Sequence, residues 1–392
     1  MSAPPPGYPV GPPPAYGPPP HYGPPPAYGP PPTYGPPPGY APPPGYPPPP
    51  GYGPPPGYGS PPTFGPPPGY GTVKPGIIPL RPLTLGDIFN GAVGYIRANP
   101  KATLGLTAIV VVIMQIITKA AFFGPLAAHD RFTTDESDGL TAGVLGAFTA
   151  SVGAGLLVGW LGGMLLSGML TVIVGRAVFG SPITIGETWA KIRGRLHALL
   201  GLALLEAVVV AALAGLVAVI IGVLAAIGSA AAAVVLGIPL VLVVVAALVY
   251  LYTAALFAPV LIVLERLPVL DAIARSFRLI RNGFWRVLGI RTLTFLVASI
   301  VANAVAVPFS IAGQFLQITS SGTAFLISTA VLSVGAAIGE IITAPFNAGV
   351  IVLLYTDRRM RAEAFDLVLQ TGAAHGPYAA ASTDHLWLTR PL

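Results

Sequence analysis

The chain has 392 residues, of which 53% are hydrophobic and only 9% charged, with no cysteine. A soluble domain carries about 25% charged residues, so this composition, with a mean hydropathy of +0.74, excludes an ordinary soluble protein and points to a membrane protein. The missing cysteine excludes disulfides, thiolate nucleophiles and cysteine metal sites, and the net charge of +6 flanks apolar runs, which sets membrane orientation and argues against a nucleic-acid partner.

The chain opens on a proline-rich arm. From Gly11 to Tyr70 the sequence is ten hexads beginning GPPPAY, GPPPHY, GPPPAY and GPPPTY. Glycine does not recur every third residue, so collagen is excluded, and Pro-Pro-Pro enforces polyproline II at three residues per turn. Tyr16, Tyr22, Tyr28, Tyr34 and Tyr40 then share one side, about 19 Å apart. Glycine softens the rod, which predicts a disordered, partly extended arm over 1–75. The arm has no apolar core of the kind a signal peptide carries. Three readings stay open: a solvated spacer, weak multivalent self-association through tyrosine, or a PPxY-type ligand for an aromatic-grooved module.

Six apolar stretches follow, each near the ~20 residues that cross a bilayer. They cover about 104–121, 153–174, 198–264 (two spans), 287–309 and 325–354. The 198–264 run has Glu206 as its only charge and is too long for one crossing, so it is split at Gly228-Ser229. Basic residues gather before the first span, between the second and third, between the fourth and fifth, and after the sixth. The first outer loop, AHDRFTTDESDG, is acidic. This alternation predicts a multi-pass membrane protein with both termini cytosolic, and the excess of arginine over lysine, with Ala, Gly and Val dominant, associates it with a bacterial plasma (inner) membrane.

The segment PLTLGDIF from Pro82 returns as PITIGETW from Pro182. Thr84 with Asp87, and Thr184 with Glu187, have capping-box spacing. Each opens an amphipathic stretch, with apolar residues at Leu85, Ile88, Phe89, Ala92, Tyr95 and Ile96, and at Ile185, Trp189, Ile192 and Leu196. A more diverged copy starts at Pro268, its stripe at Leu270, Ile273, Phe277, Ile280 and Phe284. The predicted fold is therefore all-α: six transmembrane helices as three interfacial-helix-plus-hairpin units, with domains 1–75 (arm), 76–369 (membrane) and 370–392 (flexible cytosolic tail). The basic faces would meet anionic headgroups, Arg275, Arg278 and Arg281 being the candidate contacts.

RSFRLIRNGFWRVLGI (Arg275 to Ile290), LLYTDRRMRAEAFD (Leu353 to Asp366) and LRPLTLGDIFNGAV resemble the membrane domain of the glycerophosphoryl diester phosphodiesterase family. They are especially similar to proline- and glycine-rich transmembrane proteins of actinobacteria of the mycobacterial type. The resemblance covers about 76–369 and implies a membrane domain without implying an activity. A phosphodiesterase would need a soluble barrel with histidine, glutamate and metal-binding carboxylates, and nothing of that kind is written here.

None of His21, His129, His197, His375 and His385 pairs at metal-ligand spacing, and there is no GxGxxG, P-loop or GxSxG. No enzyme, metal or cofactor is expected. Four charges fall inside apolar spans: Glu206, Glu340, Lys119 and Arg291. Lys119 has a depth compatible with Glu340, and Arg291 is placed to approach Glu206. Such groups are functional candidates by default; static pairs or protonated carboxyls are the alternative. A small-residue row, Gly155, Gly159, Gly163, Ser167, Thr171 and Gly175, is expected to mediate close helix contact. The leading function is a non-enzymatic scaffold or adaptor presenting the Pro-Tyr arm to cytosolic proteins or, in a homo-oligomer, to itself. The alternative is a lipid-handling or transport protein that uses the intramembrane carboxylates.

Overall fold

Threonine hydroxyls start the first two amphipathic helices. Thr84 Oγ1 accepts the Asp87 amide at 3.2 Å while Asp87 Oδ2 accepts the Thr84 amide at 3.0 Å. Thr184 and Glu187 do the same at 3.3 and 3.0 Å. Both boxes therefore satisfy amides that a helix start leaves bare. The third copy is capped by Pro268 without a side-chain hydrogen bond.

In this computed structural model the described residues are 76–79, 81–132, 142–228, 230–318, 322–374 and 386–388, and among them there is no strand. All fall in one of two units of the chain, Gly65–Leu392. The arm with Tyr16, Tyr22, Tyr28, Tyr34 and Tyr40 lies outside them, as do residues 133–141 of the first outer loop. The order is α1 (Leu85–Ala98), α2 (Pro100–Phe132), α3 (Ala142–Val178), α4 (Ile185–Ile192), a 3-10 turn (Arg193–Arg195), α5 (Leu196–Ile227) and α6 (Ala230–Ala255). There follow α7 (Ala258–Val260), a π-helical turn (Leu261–Glu265), α8 (Val269–Arg281), α9 (Phe284–Gln317), α10 (Gly322–Glu363) and α11 (Phe365–Ala374). Six of the described helical stretches are long and apolar enough to cross a membrane: 100–121, 148–178, 185–227, 233–265, 284–317 and 324–363. The long apolar run divides where the sequence placed the break, with the Gly228 amide closing α5 on the Leu224 carbonyl at 3.0 Å.

The α1 stripe packs on α10 instead of presenting its apolar side to lipid. Ile88, Ala92 and Tyr95 are fully buried, Phe89 meets Phe346 edge-on, and the Tyr95 hydroxyl donates to the Pro345 carbonyl. Burial pushes the Tyr95 phenol well above its ordinary value. Two glycines allow the approach. A Cβ on Gly349 would stand 2.6 Å from Tyr95 Cε1 and 3.1 Å from Ala92 Cα, and one on Gly91 would stand 2.7 Å from a Leu353 methyl. Overpacking such a contact costs about 1–3 kcal/mol. Gly349→Val is therefore expected to lower the thermal midpoint of the detergent-solubilised protein clearly, and Gly289→Val, where a Cβ meets open space, to leave it near wild type.

The α8 stripe is rotated from its expected position. Ala272, Ser276, Leu279 and Ile280 are buried and Leu270 is 74% exposed. A polar side chain sets the rotation: Ser276 Oγ donates to the Ala254 carbonyl at 2.7 Å and accepts the Phe257 amide at 3.2 Å. It thereby satisfies backbone groups freed where α6 breaks. The 370–392 tail is corrected in part. Residues 370–374 belong to α11, and Trp387 is 3% exposed, its ring 5.2 Å from Phe365 and 5.6 Å from Phe179.

Candidate functional site

The residues Tyr355 to Glu363, on the last turns of α10, carry charge into the interior. Asp357 and Tyr355 are fully buried and Arg359 is 4% exposed. Asp357 Oδ1 accepts the Leu83 amide at 2.8 Å and Arg361 Nε at 2.9 Å, and Oδ2 pairs with Arg286 at 3.3 Å. Arg286 and Arg361 also donate to the Leu83 carbonyl, at 2.8 and 3.2 Å. The peptide entering α1 is thus gripped at both its N–H and its C=O. Arg358 Nε donates to the Leu279 carbonyl at 3.1 Å, and its guanidinium occupies the space where a Gly283 side chain would stand.

Arg359 belongs to a closed ring of alternating charge. Glu265 Oε2 meets Arg275 Nε at 2.6 Å, Arg275 Nη2 meets Glu363 Oε1 at 2.8 Å, Glu363 Oε2 meets Arg359 Nε at 2.9 Å, and Arg359 Nη1 returns to Glu265 Oε1 at 3.7 Å. The Tyr355 hydroxyl donates to Glu265 Oε1 at 2.6 Å, and the Arg359 guanidinium lies 4.0 Å over the Phe365 ring. A neutral ring of this kind can stay buried because each ion has its counter-ion and further hydrogen bonds. It joins the π-helical turn, α8 and α10. Arg275 is therefore an internal tie, which corrects its assignment as a headgroup contact: its side chain is 17% exposed and held by two glutamates. Arg278 and Arg281, in the last turn of α8, are exposed. The pairs Asp357–Arg361 and Arg359–Glu363 stand at i,i+4 spacing on α10. The partners from α1, α8 and the π-helical turn had no sequence signal.

The second feature is a groove between α3, α5 and α6. Two adjoining cavities, ≈ 520 and ≈ 300 Å3, share Trp160, Glu206, Tyr252 and Ala255. Glu206 is their only charged wall residue, and among the described residues it has no ion-pair or hydrogen-bond partner. The small-residue row on α3 explains the space. Gly155, Gly159, Gly163 and Ser167 line the larger cavity, and a Cβ on Gly159 or Gly163 would meet nothing within 4 Å. The expectation that this row mediates close helix contact is corrected there. The row is in close contact at its two ends, where a Cβ on Gly155 would stand 3.3 Å from Ala121 and one on Gly175 2.9 Å from Leu264, and outside the row at Gly162, against Met114, and at Gly168, where a Cβ would stand 2.6 Å from Leu199 and 2.8 Å from Ile192.

The expected charge pairs do not form. Arg291 donates to Asn347 Oδ1 at 2.8 Å and to the Tyr252 hydroxyl at 3.0 Å, bridging α9 to α10 and α6. Tyr252 meets the demand that Glu206 was expected to meet, while also lining the Glu206 cavities. Glu340 is exposed on α10, and among the described residues no ion pair joins it to the half-buried Lys119. Gly339, its neighbour, is the residue that faces α9, where a Cβ would stand 3.2–3.4 Å from Ala302, so Glu340 is turned outward. No group of three His, Asp or Glu side chains that could hold a metal ion occurs among the described residues.

Residues 83–358 match a family described as a domain of unknown function, DUF7847, and with most of its length matched the chain belongs to that family. No curated protein and no solved structure matches it.

Proposed function

We propose that this is a non-enzymatic, lipid-handling protein of a bacterial plasma membrane, which holds an amphiphile in the groove between α3, α5 and α6 with Glu206 facing the headgroup. Both termini are on the cytosolic side, and the six spans form three units, each a short helix followed by a pair of long ones. The observation that carries the reading is an unpaired carboxyl in an otherwise apolar, lipid-sized groove. A lone ionisable group at such a place is costly, and a ligand that donates to it would offset that cost. Mostly apolar walls with a few polar groups are also the common form of a small-molecule site. The ligand class that fits is a lipid bearing an amine or hydroxyl donor.

The test uses the full chain in nanodiscs and photo-crosslinkable phosphatidylethanolamine, with phosphatidylcholine, whose headgroup has no donor, as reference. Glu206→Gln is expected to erase the preference for the amine headgroup. Gly159→Leu, which fills open space, is expected to reduce crosslinking of both lipids about tenfold, the effect of losing a few buried methylenes. Equal labelling of all variants would refute the groove. A second reading, a scaffold presenting the Pro-Tyr arm, is supported by the ten hexads themselves. Deleting residues 1–74 would remove that function and leave lipid capture intact.

A further inference from the structure

Four cations from separate segments converge on one pocket away from the groove. Arg176 comes from the last turn of α3, Lys191 from α4, Arg195 from the 3-10 turn and Arg266 from the residue after the π-helical turn. The cavity they line is ≈ 200 Å3. Arg195 Nη1 donates to the Arg266 carbonyl at 3.4 Å. Among the described residues neither Arg195 nor Arg266 has a carboxylate partner. Arg266 holds a left-handed backbone, φ 59°, which a non-glycine residue keeps only where its surroundings impose it. That conformation brings the Arg266 carbonyl to Arg195.

Trp387 supplies a further donor. It is buried, yet its Nε1–H has no hydrogen-bond partner among the described residues. This nitrogen would lie 3.6 Å from a Cβ placed on Gly175, and both residues line the same cavity as the four cations. Arg176 and Lys191 each engage a neighbour, and Glu187 acts on both electrostatically. The surplus therefore rests on Arg195, Arg266 and the indole N–H.

We propose that this pocket binds a phosphate-bearing group. Its polar side chains are donors only, guanidinium forks match phosphate oxygens two at a time, and a concave surface of one sign gathers counter-ions. A volume of ≈ 200 Å3 has room for a phosphate group. The pocket sits where α3 ends and the 3-10 turn leads into α5, at the ends of two apolar spans. A lipid headgroup phosphate and free phosphate share the chemistry that would be recognised.

The experiment measures equilibrium binding of radiolabelled inorganic phosphate to the full chain. It is done in phosphatidylcholine nanodiscs and again in discs containing phosphatidic acid. Saturable binding is expected. It should weaken about tenfold or more, the effect of losing one charged hydrogen bond, in Arg195→Gln and in Arg266→Gly, a change that also suits the left-handed backbone. Arg195→Lys should retain much of it, which separates loss of charge from loss of fold. The exposed pair Arg278→Gln with Arg281→Gln should leave it unchanged. Loss of phosphate binding in phosphatidic acid discs identifies the headgroup as occupant, and unchanged binding identifies free phosphate; both uphold the site. Absence of saturable binding together with no effect of phosphatidic acid on stability would overturn it. So would equal weakening in the Arg278 and Arg281 variant, which would reduce the effect to general surface charge. The groove around Glu206 is a different cavity, and neither result bears on it.

Discussion

Replacing Asp357 by alanine is expected to destabilise the protein by about 3–5 kcal/mol, the cost of leaving a buried ion pair without one partner. Asp357 is fully buried and answers three donors, the Leu83 amide, Arg361 and Arg286. Its removal leaves a buried amide unpaired and turns two guanidinium groups onto the Leu83 carbonyl alone. The side chains of Arg286 and Arg361 are 38% and 37% exposed, so water takes up part of their charge, and the lower end of the range applies. Asp357→Asn keeps an acceptor for Leu83 and should cost less, about 1–3 kcal/mol. Thermal unfolding in detergent reads the difference. Hydrogen exchange should locate it, with the first turn of α1 exchanging faster in the alanine variant while α5 and α6 exchange as before. An alanine variant as stable as wild type, with α1 unchanged, would show that the grip on Leu83 holds nothing.

Hydrophobic run length and capping were legible in the sequence because both are local. The six spans, the break at Gly228 and the two capping boxes at Thr84 and Thr184 all follow from residues within a few positions of one another. The side chain that decides a rotation is often non-local, and there the reading failed. Ser276 turns α8 because α6 frees a carbonyl at Ala254, 22 residues earlier. Arg275 reads as a surface cation until Glu265 and Glu363 stand beside it. The glycine row on α3 shows the same limit. Spacing by four marks a smooth face, but the sequence does not say whether a helix or empty space lies against it. Glu206 was legible as an oddity, a single charge in a long apolar run. Its missing partner became visible only when Arg291 was found bonded to Tyr252 and Asn347. The segments VIVGRAV, VLIVLERL and VLLYTDRR are similar in sequence and in position. Each marks a place where a long apolar helix ends in charge, and two of the three supply the ring.

That ring gives the larger effect. Glu265→Ala is expected to cost about 3–5 kcal/mol, with less screening than at Asp357, because the side chain of Arg359 is 5% exposed and that of Arg275 17%. The change leaves two arginines sharing one glutamate and takes from Tyr355 the acceptor of its hydroxyl. A double-mutant cycle with Arg275→Ala isolates the contact. Coupling of about 2 kcal/mol is expected, since groups in one salt-bridge network depart from additivity by 0.5–3 kcal/mol. Additivity within about 0.5 kcal/mol would mean that the ring is four separate contacts. The double variant removes one charge of each sign, leaving Arg359 and Glu363 to satisfy each other, and should recover part of the loss seen in Glu265→Ala. Arg275→Ala alone leaves Glu265 with Tyr355 and Arg359 and should be milder than Glu265→Ala. The order of the three variants therefore tests the ring's closure. The ring ties the π-helical turn, α8 and α10, and α8 and α10 also lend Ile273, Phe277 and Ile351 to the walls of the groove. Its loss should lower the folded fraction, whereas Glu206→Gln should leave that fraction near wild type and change only the lipid captured, which separates what holds the fold from what the groove binds.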